Sequence, residues 1–163
     1  MEIRHITEND DFSAVREIYE KSWKFAYKGI IPQDYLDNIP NTKWGGNIHK
    51  NGRTQLIAAE GDKFVGTASF CPSRWEKFSS CGEIVSIYLL PEYIGKGIGS
   101  QLIRACIDEL EYLGFSEILL WVLEDNHRAR RFYEKHGFIC TEDYMSDNIG
   151  GKDLREVMYI RRK

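Results

Sequence analysis

The chain has 163 residues and a formal net charge of −3, with 42% hydrophobic and 29% charged residues. This length predicts one domain over residues 1–163, and the composition excludes a largely disordered chain and a coiled coil. The basic residues are scattered rather than clustered, which argues against a nucleic-acid partner.

The amino-terminal part of the chain predicts a short strand followed by two helices. The strand covers residues 2–7, and a helix begins at residue 10 or 11, where an acidic side chain can cap its first turn. Its apolar residues recur at helical spacing. Gly29 breaks this helix, and Pro32 suits the first turn of the second one. Residues 40–52 are ambiguous.

The middle of the chain predicts three strands. Residues 56–59 and 64–70 read as two of them, and residues 61–63 between them have the composition of a hairpin turn. The third strand covers residues 83–90, and Pro91 stops it.

The rest of the chain alternates between strands and helices. A glycine-rich turn over residues 95–99 leads into a helix that Gly114 ends. Residues 118–123 are apolar at consecutive positions, which is typical of a central strand covered on both faces. A shorter helix ends at Gly137, and the tail predicts two strands around a loop at residues 147–152.

This order of elements predicts the α+β class, with a mixed sheet and helices on both of its faces. The strand–helix–strand unit over residues 83–123 predicts a parallel pair with a right-handed crossover. The hairpins on either side of that unit predict antiparallel pairs.

The turn between the third strand and its helix predicts an anion site. Glycine lacks a Cβ atom, so the backbone can bring its N–H groups against a ligand. The first N–H groups of a helix have no internal partner, and the helix dipole adds partial positive charge there. These features suit a pyrophosphate. No Gly-Lys-Ser/Thr follows as in a P-loop, and Ser100 stands where a dinucleotide fingerprint needs glycine. A tight turn that binds nothing is the alternative.

Two motifs carry a resemblance to a known family. Gly97 and Gly99 fill the small positions of the pattern [Q/R]-x-x-G-x-[G/A], while Ile94 replaces its first polar residue. Residues 126–138 match the pattern N-x-x-A-x-x-F-Y-x-x-x-G-F without a mismatch. On these motifs the chain resembles the GCN5-related N-acetyltransferase superfamily.

The resemblance implies a mostly antiparallel sheet of six to seven strands, with one parallel pair splayed around the cofactor. It implies acetyl-coenzyme A as co-substrate, and the primary amine of a small molecule or peptide as acceptor. A homodimer is plausible for the family. The cofactor-binding residues that it implies are Ile87, Tyr88, Leu89, Gly95, Lys96, Gly97, Ile98, Gly99, Ser100 and Asn126.

The resemblance also implies the catalytic residues. Glu83 begins the strand beside the acceptor and is the candidate base, although a solvated carboxylate or a water chain are alternatives. Tyr133 matches the tyrosine that protonates the leaving thiolate, and the alternative is a core aromatic residue. Glu124 and Asp125 are weaker candidates for the base. The residues expected to wall the acceptor pocket, with core packing as the alternative, are Trp23, Tyr27 and Tyr35.

Other features narrow the location and the partners. No apolar run approaches the roughly 20 residues that span a bilayer, and residues 1–5 lack the layout of a signal peptide. We therefore expect a cytoplasmic protein without a membrane partner. The four cysteines form no CxxC pair and the four histidines lack ligand spacing, so we expect free thiols and no metal site.

Two other functions stay open from the sequence. A sensor of acyl-coenzyme A would keep the glycine turn and lose the acid and the base. A protein-modifying enzyme would need an open groove for a peptide, and its shape would depend on the predicted loops at residues 38–51 and 143–152.

Overall fold

A computed structural model describes residues 1–39 and 52–163. The ambiguous stretch and most of the predicted loop at residues 38–51 therefore lie outside the described residues. The strands are β1 Glu2–His5, β2 Thr54–Glu60, β3 Lys63–Pro72, β4 Gly82–Leu89, β5 Glu117–Leu123, β6 Ile139–Ile149 and β7 Lys152–Arg162. The helices are α1 Phe12–Ala26, α2 Gln33–Asp37, α3 Ile98–Tyr112 and α4 His127–Lys135, and short 3-10 turns cover Glu76–Phe78 and Pro91–Tyr93.

The strands form one seven-stranded sheet in the order β1-β2-β3-β4-β5-β7-β6. Neighbouring strands are antiparallel except β4 and β5, which confirms the predicted class and the predicted parallel pair. The two parallel strands pair only at Gly82↔Ile118 and Glu83↔Leu119. Beyond these two positions β4 and β5 diverge, so the sheet opens in its middle.

Helices cover both faces of the sheet, as predicted. Alternate residues of β2 show the two faces, because successive strand side chains point to opposite sides. Leu56 packs in the same core cluster as Leu102 of α3, whereas Ile57 packs with Val15 of α1. Helix α4 shares the α3 face, where its Tyr133 packs against that core cluster. Each fully buried apolar side chain contributes roughly 1.5–3 kcal/mol to this arrangement.

Local signals at the ends of the elements explain where they begin and stop. The Asp11 carboxylate accepts a hydrogen bond from the Ser13 N–H and caps α1, as expected for an acidic N-cap. Pro32 stands at the N-cap of α2, one position before the predicted first turn. The register of β2 and β3 leaves a two-residue hairpin loop between Glu60 and Lys63.

The predicted loop near the carboxyl end is wrong in length. Strands β6 and β7 pair up to Ile149↔Lys152, so Gly150 and Gly151 alone form the turn. Both glycines have positive φ, 62° and 88°, which suits the tight hairpin turns that glycine favours. Residues 143–149 are therefore strand rather than part of the loop that was expected to decide whether a peptide groove is present.

Two further expectations concern cysteines and membranes. The four cysteines are free, and Cys140 is the exposed one. Within residues 1–39 and 52–163, no helix is both long and apolar enough to cross a membrane.

Candidate active site

A cavity of about 660 Å³ lies where β4 and β5 diverge. Residues 85–89 of β4 line one wall and residues 121–123 of β5 line the other. Because residues of α1 and α4 both line it, and these helices cover opposite faces, the cavity passes through the sheet. We call its two mouths the α4 end and the α1 end.

The α4 end contains the glycine turn. Gly95 and Gly97 line the cavity and both have φ of 82°, and Gly97 is the N-cap of α3. A residue with a Cβ atom in this left-handed conformation costs roughly 1–2 kcal/mol. The turn thus needs glycine, and it aims the free N–H groups of a 15-residue helix at the cavity.

The other residues predicted in this turn divide into two groups. Gly99 and Ser100 line the cavity, and the Ser100 hydroxyl lies 3.1 Å from His136 Nε2. Ile98 and Lys96 do not line it. Ile98 is buried in the core, and the Lys96 ammonium lies 4.7 Å from the centre of the Tyr93 ring.

Asn126, one of the cofactor-binding residues that the resemblance implies, caps α4 and lines the cavity. Its Oδ1 accepts a hydrogen bond from the Ala129 N–H at 3.2 Å, which makes it the N-cap of α4. The same residue lines the cavity. A second amino terminus of a helix therefore lies beside the first at the α4 end.

Tyr133 lines the cavity from α4, with its ring against aromatic neighbours. Its centroid lies 5.5 Å from that of Phe132 and 6.2 Å from that of Phe138. Within the described parts of the chain its hydroxyl has no hydrogen-bond partner. Burial, and then the neighbouring Tyr88 and Cys106, raise the pKa of Tyr133, so the phenol keeps its proton at neutral pH.

Tyr88 lies in the β4 wall, between the α4 end and the α1 end of the cavity. The Trp23 indole donates to its hydroxyl at 3.1 Å, and the Tyr19 ring lies 5.0 Å away. Burial and then Tyr19 raise the pKa of Tyr88 to about 12. Ile87 and Leu89, on either side of Tyr88, also line the cavity, as predicted.

Glu83 lies outside the cavity lining, although the resemblance assigned it the role of base. Its side chain is 1% exposed, and Arg74 Nη2 donates to its Oε2 at 2.6 Å. The Arg74 backbone N–H and the Trp75 indole also donate to this carboxylate. A carboxylate held by these donors has little capacity left to take a proton, so the geometry speaks against Glu83 as the base.

The weaker candidates for the base are also outside the cavity lining. Glu124 forms an ion pair with Arg155 at 3.5 Å, and Asp125 is exposed. The basic residue Arg130 also lies outside the cavity lining. Its guanidinium donates to the Tyr159 hydroxyl and to the Glu124 carbonyl.

The carboxylate in the cavity is Glu156, which sequence reasoning missed. On β7, Val157 packs in the α3 cluster, so Glu156 points to the opposite face, the side on which Leu154 packs with Leu36 of α2. Burial, and then Asp147, raise the pKa of Glu156, while Arg74 lowers it. The period-2 pattern could have revealed it, because Glu156 shares a face with Leu154 and Met158.

The residues expected to wall the acceptor pocket lie in different places. Tyr27 lines the α1 end, whereas Trp23 and Tyr35 do not line the cavity. Trp23 lies behind Tyr88. Tyr35 packs below the β6–β7 turn, since a Cβ atom on Gly150 would lie 2.7 Å from its own Cβ. Residues at this end that the sequence did not single out are Ser22, Phe25, Trp121 and Glu156.

A mixed sheet that opens at its parallel pair, beside a glycine turn at a helix amino terminus, defines the architecture of an N-acetyltransferase. The chain belongs to the acetyltransferase (GNAT) family, whose family model matches residues 12–138. The predicted family is thus confirmed.

Similar proteins support the same assignment. The uncharacterized N-acetyltransferase YuaI of Bacillus subtilis is 31% identical over 91% of this chain and 86% of its own length. The spermidine N(1)-acetyltransferase of Thermoplasma acidophilum is 27% identical over 91% of this chain and 94% of its own. The crystal structure of PaiA N-acetyltransferase from Thermoplasma acidophilum, in complex with coenzyme A, has a TM-score of 0.75 at 22% identity and covers 100% of both chains.

Proposed function

We propose that the protein transfers an acetyl group from acetyl-coenzyme A to a primary amine, by direct attack with both substrates bound. The observation that carries the proposal is the cavity that passes through the sheet, with the glycine turn and Tyr133 at one end and Glu156 at the other. Two substrates can enter from opposite faces and meet between β4 and β5. The family, and the coenzyme A bound to the similar fold of PaiA, support this function.

The residues present fit a coenzyme A molecule. The turn at Gly95 and Gly97 presents helix N–H groups to the pyrophosphate without an intervening Cβ atom. Within the described residues, the edge of β4 that faces β5 has no partner strand beyond Glu83. The backbone groups along this edge can therefore bond to an extended ligand. Acetyl-coenzyme A supplies an acetyl group activated as a thioester.

The reaction also requires two proton transfers, one from the amine and one to the leaving sulfur. An alkyl ammonium has a pKa near 10.4, so forming the neutral amine at pH 7 costs about 4–5 kcal/mol. At the other end, the leaving sulfur needs a proton or a hydrogen bond, which we assign to Tyr133. A phenol is protonated at neutral pH, so this hydroxyl can donate to the sulfur as the sulfur gains charge.

Thermal unfolding with acetyl-coenzyme A, followed by thiol release against a panel of amines, tests the function. At a hundred times the dissociation constant, the ligand should add about 2.7 kcal/mol to the free energy of unfolding. Stabilisation with thiol release that depends on an amine supports the proposal. Stabilisation without release for any amine class would instead favour a sensor, and no stabilisation would overturn the proposed cofactor site.

A further inference from the structure

The α1 end of the cavity holds a carboxylate without a partner. Glu156 is partly buried on β7. Within residues 1–39 and 52–163, no side chain forms a hydrogen bond or an ion pair with its carboxylate. An unpaired, partly buried charge lowers the stability of the protein unless a ligand of opposite charge binds to it. In the sheet register, Glu156 of β7 pairs with Leu123 of β5. This pairing places Glu156 beside the opening between β4 and β5.

From this placement we infer that the acceptor is a cationic alkyl amine without a carboxylate group, and that Glu156 binds its ammonium and takes the proton lost before attack. The inference rests on the proposed function and adds the substrate class and the base to it. It also assigns a role to a residue that neither family motif contains.

The distribution of charge around the cavity favours such an acceptor. Among the described residues that line it, Glu156 is the one acidic side chain, and the basic ones, Arg128 and Lys135, both lie on α4. Arg74 is the cation whose field reaches Glu156, but Glu83 already binds its guanidinium. Inside the α1 end, a carboxylate on the acceptor would therefore meet Glu156, since the Arg128 guanidinium lies further out, 5.7 Å from the centre of the exposed Phe25 ring.

The other side chains at the α1 end suit the stem of an alkyl amine. Tyr27, Phe25 and Trp121 line this end with aromatic rings. Aromatic rings pack against methylene groups and attract a cation, by roughly 0.5–2 kcal/mol for each well-placed ring. Phe25 is 48% exposed, which leaves it at the mouth where a bound amine would cover it.

The proposed proton transfer is balanced. The ammonium gives one proton to a Glu156 oxygen, and the neutral nitrogen forms the new bond to the acetyl carbon. The carbon–sulfur bond breaks and the sulfur takes the Tyr133 proton. The second proton on nitrogen then passes through solvent to restore the Tyr133 hydroxyl, and Glu156 releases its proton to solvent. The titratable or charged groups that face Glu156 are Tyr27 of α1, Tyr88 of β4, Asp147 of β6 and Arg74 of the β3–β4 connection.

Three acceptors of equal chain length test the substrate class on the intact protein. Butylamine carries a methyl group at its far end, diaminobutane a second amine, and γ-aminobutyrate a carboxylate. We expect kcat/KM for diaminobutane and butylamine to exceed that for γ-aminobutyrate by at least about tenfold, because its carboxylate is repelled by Glu156. Preference for γ-aminobutyrate would overturn the inferred class.

The variant Glu156→Gln tests the residue, with Glu142→Gln as the matched control on exposed β6. We expect Glu156→Gln to lower kcat/KM for diaminobutane by about 10²–10⁴-fold at neutral pH, and by less at high pH, where more of the amine is already neutral. Calorimetric binding of diaminobutane to the complex with coenzyme A should weaken at least about tenfold, and Glu142→Gln should change neither quantity by more than about twofold.

The calorimetric titration separates the two possible failures. If Glu156→Gln binds and acetylates diaminobutane like the unchanged protein, the inference is wrong while the acetyltransferase function stands. If the protein binds diaminobutane through Glu156 but releases no thiol with any acceptor, the proposed function fails, and with it the assignment of Glu156 as the base.

Discussion

The two ends of the cavity are built in different ways. The α4 end contains a backbone site, formed by two glycines at φ of 82° and the amino termini of α3 and α4. The α1 end consists of side chains from α1, β5 and β7, which are far apart in the chain. Backbone recognition suits a ligand that stays the same across a family, whereas side chains allow the acceptor to change. The predictions below test this division between a cofactor end and an acceptor end.

The largest effect is expected from Tyr133→Phe. Without the phenolic proton the sulfur leaves unassisted, so kcat should fall by about 10²–10⁴-fold. The dissociation constant of coenzyme A should stay within about twofold, because the ring remains in place. Tyr112→Phe is the control, since Tyr112 is 91% exposed on α3. Unchanged turnover in Tyr133→Phe, with chemistry shown to limit the rate, would remove the acid role.

The next largest effect is expected from Gly97→Val, measured as the affinity for coenzyme A. A branched side chain disfavours φ of 82°, and restoring that conformation on binding costs about 1–3 kcal/mol. Affinity should therefore fall by roughly 10- to 100-fold. Gly29 has the same φ of 82° and lies outside the cavity lining. The control variant Gly29→Val should therefore lower the free energy of unfolding without lowering the affinity for coenzyme A. Equal affinities in the two variants would refute the phosphate role of the turn.

A third prediction concerns the buried ion pair of Glu83. Arg74→Ala removes the guanidinium and leaves a carboxylate that is 1% exposed, so the free energy of unfolding should fall by about 2 kcal/mol. The double variant Arg74→Ala with Glu83→Gln should recover part of this loss. Urea unfolding measures both.

A substitution of Glu83 tests which carboxylate, Glu83 or Glu156, acts as the base. In Glu83→Gln we expect kcat to stay within about threefold, since Glu83 does not line the cavity. A loss of 100-fold or more in a folded Glu83→Gln variant would return the role of base to Glu83 and contradict the assignment to Glu156.

The smallest effect is expected in the stability of Glu156→Gln. Because the pKa of Glu156 is raised in the folded protein, stability is lost as pH rises through that pKa and the carboxyl ionises. Removing the charge should raise the free energy of unfolding at pH 7 by about 0.5 kcal/mol, given its partial exposure. The gain should vanish below about pH 4, where the carboxyl is protonated in both states. Thermal unfolding at the two pH values measures it, and a destabilised variant at pH 7 would show that Glu156 has a structural partner.

Most elements of the fold could be predicted from the sequence because their signals are local. The turn chemistry at Gly61 and the apolar run of β5 each depend on neighbouring residues alone. The insertion of β7 between β5 and β6 could not be predicted, since strand order depends on contacts between distant segments. The predicted length of the final hairpin loop was wrong because an exposed edge strand carries little hydrophobic pattern. Seven of the eleven residues of β6 are polar when Tyr144 is counted.

The sequence by itself determined the family, the parallel pair and the glycine turn before α3, because each of them is encoded in consecutive residues. A glycine must stand where φ is positive, and a free helix terminus follows directly from that turn. Only the tertiary structure showed that Glu156 lines the cavity and Glu83 does not. Arg74 reaches Glu83 across nine positions of the chain, and Glu156 reaches the cavity from a strand 73 positions after Glu83. The state of a carboxylate depends on what surrounds it in space, and that is set by how β3, β5 and β7 pack together.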